Sequence, residues 1–274
     1  MIEAFKKSDV EILLSTMNRV SLDFLVPMFP FTHFSDFNIL IINQTTEDKI
    51  LRSVYPTVRV INVFERGLSR SRNLLIANAS KKIGLIADDD LVYVEGFDER
   101  VLSGFNRFNN AAAIKFCTTN FEGVPFRKYP KVPVAHLNAM QRLNSSSIEM
   151  VLNIDVVQKS GIEFNTNFGL GSTFPLGEEG IFINDLHDAG YQVSHEPKII
   201  VTHKTEKDSD NITLTENYRI RGAYLAKIFG NKFFIWLGIQ LAYHIKQGLV
   251  SPANFFSVIQ SARRGKQQFL KLTK

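Results

Sequence analysis

The sequence predicts an α/β fold with a mostly parallel, twisted sheet that carries helices on both faces. Short apolar runs alternate with segments of helical spacing along residues 1–90. These runs are apolar almost throughout, which is typical of parallel strands buried on both faces. Polar side chains follow three of the runs, and ligands of such sheets bind beyond the carboxyl ends of the strands. The pattern therefore predicts both the sheet and the edge that carries a site.

The predicted elements follow one another in order. VEILLSTMNR at 10–19 indicates a first strand, and FNILIINQTTED at 37–48 a second. Two prolines in the intervening FLVPMFPFTHF argue against one uninterrupted helix, so we expect a short helix and an irregular connector. VRVINVF at 58–64 indicates a third strand, SRSRNLLIANAS at 69–80 has helical spacing, and KIGLIADDD at 82–90 indicates a fourth strand.

Length and composition fit one large domain, or one domain with an appendage. The chain has 274 residues and 45% hydrophobic residues, enough for a sizeable core. Its single cysteine, Cys117, excludes an internal disulfide and suits a reducing cytosol. No long apolar segment follows the first lysines, so no signal peptide is predicted. A net charge of +5 and a pI near 9.2 favour anionic partners without choosing one.

Three successive carboxylates, Asp88, Asp89 and Asp90, end the fourth strand. Adjacent like charges repel, and each is costly to desolvate without a compensating positive charge. A divalent cation is one compensator, and a solvated acidic turn is the alternative. Polar residues also follow the first two strands, at Thr16, Asn18, Arg19, Asn43 and Gln44. A solvated turn does not explain this coincidence, so the pattern favours a binding site.

Four motifs occur in a fixed order over about residues 10–205. They are ILLSTMNR at 12–19, ILIINQTTED at 39–48, ERGLSRSRNLLIANASKKIGLIADDD at 65–90 and GEEGIFINDLHDAGY at 177–191. This ordered set resembles the inverting glycosyltransferases of family two, whose catalytic domain has the GT-A fold. The first two motifs are similar to that family's nucleotide-contacting strand ends. The third resembles the segment that leads to an Asp-any-Asp motif, and the fourth the Gly-Glu-Asp segment that carries the catalytic base.

The resemblance implies a division of the chain. Residues 1–215 would form the GT-A domain, with a nucleotide-sugar-binding half at about 1–114 and an acceptor-binding and catalytic-base half at about 115–215. Residues 216–274 would form a helical, basic and aromatic extension. The longest apolar run there, FFIWLGIQLAYHI, is shorter than the roughly 20 residues that cross a bilayer. Aromatic residues flanked by Lys and Arg suit a helix in a membrane interface. Packing on the catalytic domain or in a homodimer is the alternative.

The resemblance also implies two sets of ligand-binding residues. The donor-binding set is Thr16, Asn18, Arg19, Asn43, Arg72, Asp88 and Asp89. The metal set, for Mn²⁺ or Mg²⁺, is Asp90, Asp88 and His203, the last of which follows the apolar strand KIIVTH. Asp90 is expected to coordinate the ion, Asp88 to contact the ribose or a bridging water as well, and Asp89 to anchor its loop.

Two arginines near the start of the predicted helix at 69–80, Arg70 and Arg72, are candidates for a diphosphate contact. Backbone amides at a helix start favour anions, and a guanidinium adds charge-assisted hydrogen bonds. We expect this role of Arg72, with a solvated helix face as the alternative; for Arg70 that alternative is favoured. Asn43 stands where the family often has an aspartate that reads the nucleobase. An amide both donates and accepts hydrogen bonds, so the nucleotide stays open, with UDP favoured on family frequency.

Sugar transfer places two chemical demands on the site. Negative charge grows on the leaving diphosphate, and an oxygen-ligated divalent cation stabilises it. An inverting displacement also needs a carboxylate to accept the proton of the acceptor hydroxyl. By the resemblance, Glu179 falls on this base and Glu178 on its neighbour; Glu in place of Asp lengthens the reach by one methylene. Carboxylates in the first turn of a helix also occur for dipole reasons alone.

These expectations define one enzyme. It is a metal-dependent inverting glycosyltransferase that moves a sugar from a nucleoside-diphosphate sugar to a hydroxyl of a glycan or glycolipid. A lipid-linked oligosaccharide of bacterial surface polysaccharide synthesis is the expected acceptor, at the cytoplasmic face of the cell membrane. The alternatives are a sugar-nucleotide nucleotidyltransferase, whose usual glycine-rich loop is absent from STMNRV, and a catalytically silent nucleotide-binding protein. No aromatic-basic interleaving surrounds the site, so no nucleic-acid partner is expected.

Overall fold

The computed structural model describes residues 4–204 and 212–273, in which eight strands form one mixed sheet. The strands are β1 (Val10–Met17), β2 (Asn38–Gln44), β3 (Val58–Val63), β4 (Ile83–Asp88), β5 (Val92–Tyr93), β6 (Ala111–Thr119), β7 (Met150–Asn153) and β8 (Gln192–Thr202). Their spatial order is β3-β2-β1-β4-β7-β6-β8-β5. The pairs from β3 to β4 and the pair β6–β8 are parallel, whereas β7 and β5 run antiparallel to their neighbours.

Helices connect the strands and cover the sheet. They are α1 (Leu68–Asn78), α2 (Phe97–Arg107), α3 (Ala139–Leu143), α4 (Ile154–Ser160), α5 (Glu178–Asp188), α6 (Leu214–Phe229), α7 (Phe233–Lys246) and α8 (Phe255–Leu272). Two short 3₁₀ helices, Asp23–Met28 and Phe34–Asp36, fill the connection between β1 and β2. Because the first contains Pro27, no longer helix forms there, as the sequence predicts.

Both faces of the sheet are buried, which explains the near-continuous apolar strands. In β1, Ile12 and Leu14 face one hydrophobic cluster while Leu13 faces the other. β2 alternates in the same way, since Ile41 and Leu40 belong to opposite clusters. Burying such a side chain contributes roughly 1.5–3 kcal/mol, so the two faces together dominate the stability of the sheet. The predicted α/β sheet with helices on both faces is confirmed.

The parallel register brings the polar strand ends to one edge. Ser15 of β1 pairs with Asp88 of β4, and Thr16 pairs with Asn43 of β2. All these strands run in one direction, so their carboxyl ends meet where the chain turns from strand into loop. The predicted edge therefore exists, and it carries the acidic triplet.

The last three helices form a third core with part of the preceding chain. Phe168, Phe174 and Ile181 pack with buried residues of α6, α7 and α8. α6 and α8 approach so closely that a Cβ on Gly222 would lie 1.9 Å from the carbonyl oxygen of Ala262. The side chain of Lys227 in α6 donates to Asp185 of α5 at 2.8 Å. The C-terminal helices are therefore built into the same core as the segment that carries Glu178 and Glu179.

No helix within residues 4–204 and 212–273 combines the length and the apolar character needed to span a bilayer.

Candidate active site

A cavity of about 790 Å³ opens at the carboxyl ends of β1 and β4. That volume lies within the roughly 300–1,000 Å³ typical of small-molecule sites. Strand ends, the start of α1, the start of α5, the loop before β7, His203 and one side of α6 form its wall. The lining includes Ser15, Thr16, Gln44, Gly67, Arg72, Asp88, Asp89, Asp90, Arg127, Ser147, Gly177, Glu178, Glu179, His203, Asn217, Arg221 and Tyr224.

Arg72 lies on the floor of this cavity and joins its carboxylates. Its side chain is 1% exposed. One terminal nitrogen donates to Glu178 at 2.8 Å and to Glu179 at 3.4 Å, and the other donates to Asp88 at 3.3 Å. Burial alone lowers the pKa of Arg72, but Asp88, Glu179 and Glu178 outweigh burial and raise it. The guanidinium therefore stays charged and holds the end of β4 against the start of α5.

The two glutamates at the start of α5 differ in environment. Glu178 is 4% exposed, and burial followed by repulsion from Glu179 raises the pKa of Glu178 to about 8. Its 2.8 Å contact with Arg72 acts in the opposite direction, but Arg72 shares its charge among three carboxylates and does not offset the burial. The side chain of Glu179 is 17% exposed and lines the cavity. Glu179 is therefore the more accessible carboxylate of the pair.

Asp89 ties the end of β1 to the acidic triplet. Its Oδ2 accepts from the hydroxyl of Thr16 at 2.5 Å and from Nε of Arg19 at 2.9 Å. Asn18 lies between Thr16 and Arg19 and is exposed. Its backbone has a left-handed φ of 54°, which asparagine tolerates better than most residues. Asp89 thus connects the loop after β1 to the acidic triplet.

Asn43 points away from the cavity. It is fully buried, its Oδ1 accepts from the backbone amide of Arg19, and its Nδ2 donates to the Arg19 carbonyl and to Asn62. These bonds use both Nδ2 hydrogens, so the side chain has no free donor for a nucleobase. The structure instead gives Asn43 the role of shaping the turn at Arg19. Sequence position alone could not distinguish these two roles.

Asp90 and His203 meet at the mouth of the cavity. Nε2 of His203 lies 3.1 Å from Oδ1 of Asp90, and Nδ1 lies 2.8 Å from the carbonyl oxygen of Lys204. The contact with Asp90 raises the pKa of His203, and the same contact lowers the pKa of Asp90. Because a carbonyl only accepts, Nδ1 carries a hydrogen, and in the neutral ring the lone pair is on Nε2, facing Asp90.

Asp88 hydrogen-bonds to a different set of side chains. One of its oxygens accepts from Arg72, and the other accepts from the hydroxyl of Ser147 at 3.2 Å. In the part of the chain that the structure describes, no three His, Cys, Asp or Glu side chains come together as a metal site. The predicted metal set is thus divided into a pair, Asp90 and His203, and a separate Asp88.

Several lining residues had no signal in the sequence. Ser147 and Arg127 come from the segment between β6 and β7, for which no motif exists. Arg221 and Tyr224 come from α6, which sequence analysis assigned to the C-terminal extension. Their place in the site depends on how α6 packs against α5: the hydroxyl of Tyr224 donates to the carbonyl of Leu143, and its ring lies against Gly177. The local sequence does not indicate these contacts.

No protein-family model matches the chain, and no curated protein sequence matches it. The fold, however, matches solved structures of S. aureus TarS. The structure of TarS 1-349 gives a TM-score of 0.57 at 12% identity, covering 81% of this chain and 65% of that chain. Its complex with UDP-GlcNAc gives 0.61 at 12% identity, covering 92% and 79%. The complex with UDP gives 0.56 at 12% identity, covering 80% and 66%.

These matches define the class of fold. The chain has the GT-A architecture of glycosyltransferase structures, with added C-terminal helices. It spans about two thirds of the length of the first of the TarS structures. An identity of 12% establishes the shared fold and leaves the activity to be argued from the site.

Proposed function

We propose that the protein is a metal-dependent inverting glycosyltransferase that uses a nucleoside-diphosphate sugar. One observation carries the proposal: buried Arg72 joins Asp88, after β4, to Glu178 and Glu179, at the start of α5, on the floor of one cavity. Carboxylates from two motifs that are far apart in the sequence are thereby brought together in the same cavity. Clustered carboxylates in a cleft, one with a raised pKa, are typical of catalytic sites.

Glu179 is the proposed base. The hydroxyl oxygen of the acceptor attacks the anomeric carbon of the donor sugar, and the proton of that hydroxyl passes to Glu179. At the same time, the bond between the anomeric carbon and the diphosphate oxygen breaks. The configuration at the anomeric carbon is inverted. The nucleoside diphosphate leaves with the bonding electron pair, and Glu179 holds the proton. The accessibility of Glu179 supports this assignment, since Glu178 is buried and paired. Arg72 orients both side chains.

Asp90 and His203 are the proposed protein ligands of Mn²⁺ or Mg²⁺. The pair offers a carboxylate oxygen and Nε2 of an imidazole whose Nδ1 is held by a backbone carbonyl, which is how ligating histidines are oriented. Two protein ligands are enough when substrate phosphates complete the shell, as magnesium sites commonly do. Both oxygens of Asp88 already accept hydrogen bonds, so Asp88 suits a supporting role better. A bound ion would stabilise the charge of the leaving diphosphate.

UDP is the proposed nucleotide, and the loop at the end of β1 is the proposed place where it binds. TarS, whose fold this chain shares, has been solved with UDP and with UDP-GlcNAc. The donor loop at the end of β1 is also held in place by Asp89, through Thr16 and Arg19. The proposed acceptor is a hydroxyl of a glycan or a lipid-linked oligosaccharide in bacterial surface polysaccharide synthesis.

Contact with the cytoplasmic face of a membrane is proposed for the surface of α7 and the start of α8. Ile235 is 65% exposed, Ile239 47% and Phe256 81%. The ammonium of Lys266 lies 4.6 Å from the ring of Phe233, and Lys232 and Lys246 flank α7. An apolar face bordered by lysines complements an anionic lipid surface. A homodimer through the same face is the competing arrangement.

The proposed activity is tested by measuring UDP release from a panel of UDP-sugars, with Mn²⁺ or Mg²⁺ and with or without glycan acceptors. Acceptor-stimulated release with an inverted glycosidic product supports the proposal. Formation of pyrophosphate from a nucleoside triphosphate and a sugar 1-phosphate would indicate a nucleotidyltransferase. UDP binding without turnover on any donor and acceptor pair would indicate a catalytically silent nucleotide-binding protein.

A further inference from the structure

We propose that Arg221 binds an anionic group of the acceptor, a phosphate or a carboxylate, beside the hydroxyl that receives the sugar. This inference rests on the proposed transferase function and adds the chemical class of the acceptor. Its evidence comes from the residues of α6 that line the cavity.

Arg221 lines the cavity from α6. Its Nε donates to Oδ1 of Asn217, one turn earlier on α6, at 2.5 Å. No carboxylate within residues 4–204 and 212–273 forms an ion pair with it, and its two terminal nitrogens make no hydrogen bond within the same residues. Burial lowers the pKa of Arg221, with Tyr218 and Tyr224 acting in the opposite direction. Among the residues that the structure describes, this half-buried charge therefore has no carboxylate partner.

The other arginines of the cavity differ in this respect. Arg72 contacts three acidic side chains, those of Asp88, Glu178 and Glu179. Arg127 is held by Glu149 at 3.1 Å and by the carbonyl of Asn144 at 2.6 Å. Arg66 lies at the rim and is exposed to solvent. Arg221 thus combines partial burial, access to the cavity and two terminal nitrogens that have no partner in the described part of the chain.

Tyr224 locates Arg221 relative to the proposed base. The ring of Tyr224 lies against Gly177 and Gly180, which flank Glu178 and Glu179; a Cβ on Gly180 would lie 2.1 Å from the Tyr224 hydroxyl oxygen. Burial raises the pKa of Tyr224, Glu179 raises it further, and Arg221 lowers it. Glu179 and Arg221 are therefore both close enough to Tyr224 to act on its pKa, and all three residues line the cavity.

This position favours the acceptor over the donor diphosphate. The donor phosphates are expected near Asp90 and His203, and neither residue has a pKa influenced by Arg221. The acceptor hydroxyl must contact Glu179, and the ring of Tyr224, one turn after Arg221 on α6, lies against Gly177 and Gly180 at the start of the helix that carries Glu179. A guanidinium binds phosphate or carboxylate through two parallel hydrogen bonds, so an anion placed there would fix the orientation of the acceptor.

The test compares matched anionic and neutral small molecules by ligand-observed NMR titration. Glycerol 1-phosphate is compared with glycerol, and D-glucuronate with D-glucose, each with and without UDP. We expect wild-type protein to bind at least one anion about tenfold or more tightly than its neutral counterpart, since hydrogen bonds to charged groups are strong. The two pairs distinguish a phosphate from a carboxylate.

Variants assign the preference to Arg221. Arg221→Ala should abolish the preference, and Arg221→Lys should keep part of it for phosphate, because lysine retains the charge but lacks the fork. Arg264→Ala removes an exposed positive charge on α8 and should leave the preference unchanged. No anion preference in wild type, or an equal preference in Arg221→Ala, would overturn the proposal.

Two further measurements distinguish acceptor binding by Arg221 from a structural role and from binding of the donor diphosphate. Arg221→Ala should unfold at the same urea concentration as wild type or a higher one, since the change removes no ion pair among residues 4–204 and 212–273; marked destabilisation would show a structural role and overturn the proposal. UDP affinity should change less than about twofold, whereas a loss of about tenfold would assign Arg221 to the donor diphosphate and overturn it. Failure of the transferase function would appear separately, as absence of turnover on every sugar nucleotide.

Discussion

A terminal nitrogen of Arg72 lies 2.8 Å from the carboxylate of Glu178, a residue 106 positions later in the chain. This contact joins α1 to the first turn of α5, and the same guanidinium also contacts Asp88. A single buried cation therefore sets the relative position of the acidic triplet and the proposed base. Its substitution should affect folding before it affects chemistry.

The first prediction concerns Arg72. Arg72→Met keeps most of the side-chain volume and leaves the carboxylates of Asp88, Glu178 and Glu179 without a buried counterion. Removing one partner of a buried ion pair typically costs about 3–5 kcal/mol. We expect a loss of this order in the free energy of unfolding, measured by urea denaturation near neutral pH. Arg70→Met, at an exposed arginine of the same helix, is the control. Equal stability of both variants would show that Arg72 does not hold the site together.

The second prediction separates binding from chemistry at Glu179. Glu179→Gln keeps the size of the side chain but removes the group that accepts the proton. The transfer rate should fall by roughly 10²- to 10⁴-fold, the usual contribution of a positioned general base. UDP affinity, measured by calorimetry, should change little. Glu178→Gln should have a milder effect on the rate, because Glu178 is buried against Arg72.

The opposite result for the two glutamate variants would reassign the base. If Glu178→Gln abolishes turnover while Glu179→Gln stays near wild type, the base is Glu178 and the alignment of the motif is shifted by one residue. If both folded variants keep full activity on a competent acceptor, neither carboxylate is the base.

The third prediction concerns the metal. The ratio of UDP affinities with and without Mn²⁺ measures metal-dependent binding independently of turnover. This ratio should fall toward one in Asp90→Asn and in His203→Ala, because these residues are the proposed ligands. Asp89→Asn should weaken UDP binding with and without Mn²⁺ alike, since Asp89 anchors Thr16 and Arg19 instead. A ratio in Asp90→Asn equal to that of wild type would contradict the assignment.

The fourth prediction is a pH dependence of stability that originates at Glu178. Folding raises the pKa of this carboxyl from 4.5 to about 8, so the folded state binds a proton that the unfolded state releases. The resulting stabilisation is fully present below about pH 4.5 and is lost as the pH rises through about 8. Wild type should therefore lose stability between about pH 6 and about pH 8.5.

Glu178→Gln should lose less stability over that interval than wild type. Urea denaturation at the two pH values measures the difference. Glu163→Gln, which removes an exposed carboxylate, should behave like wild type. An unchanged pH dependence in Glu178→Gln would mean that another group titrates in this range.

The fifth prediction concerns the apolar face of α7 and α8. Replacing exposed Ile235 and Phe256 by serine should reduce cosedimentation with vesicles of phosphatidylglycerol and phosphatidylcholine, most clearly at low salt. Val54→Ser, which removes an apolar side chain that is 90% exposed elsewhere, is the control. If wild type does not bind these vesicles at low ionic strength, analytical ultracentrifugation should instead show a dimer that the double variant dissociates.

The strands of the first half of the chain were predictable because their signals are local. The predicted third strand at 58–64 corresponds to β3, Val58–Val63, and the predicted fourth strand contains β4, Ile83–Asp88. Strands β6 and β7 had no prediction. β6 begins with three alanines, and β7 has four residues, so periodicity does not distinguish them from helix.

The sequence by itself determined the α/β sheet, its polar edge and the order of the acidic motifs, because apolar runs and the residues that end them are properties of neighbours along the chain. Only the tertiary structure decided that Arg72 is enclosed by carboxylates, that Asn43 is buried away from the cavity and that α6 brings Arg221 into its wall. These outcomes depend on contacts between distant segments. Burial and charge compensation arise only when such segments pack together, so no local pattern encodes them.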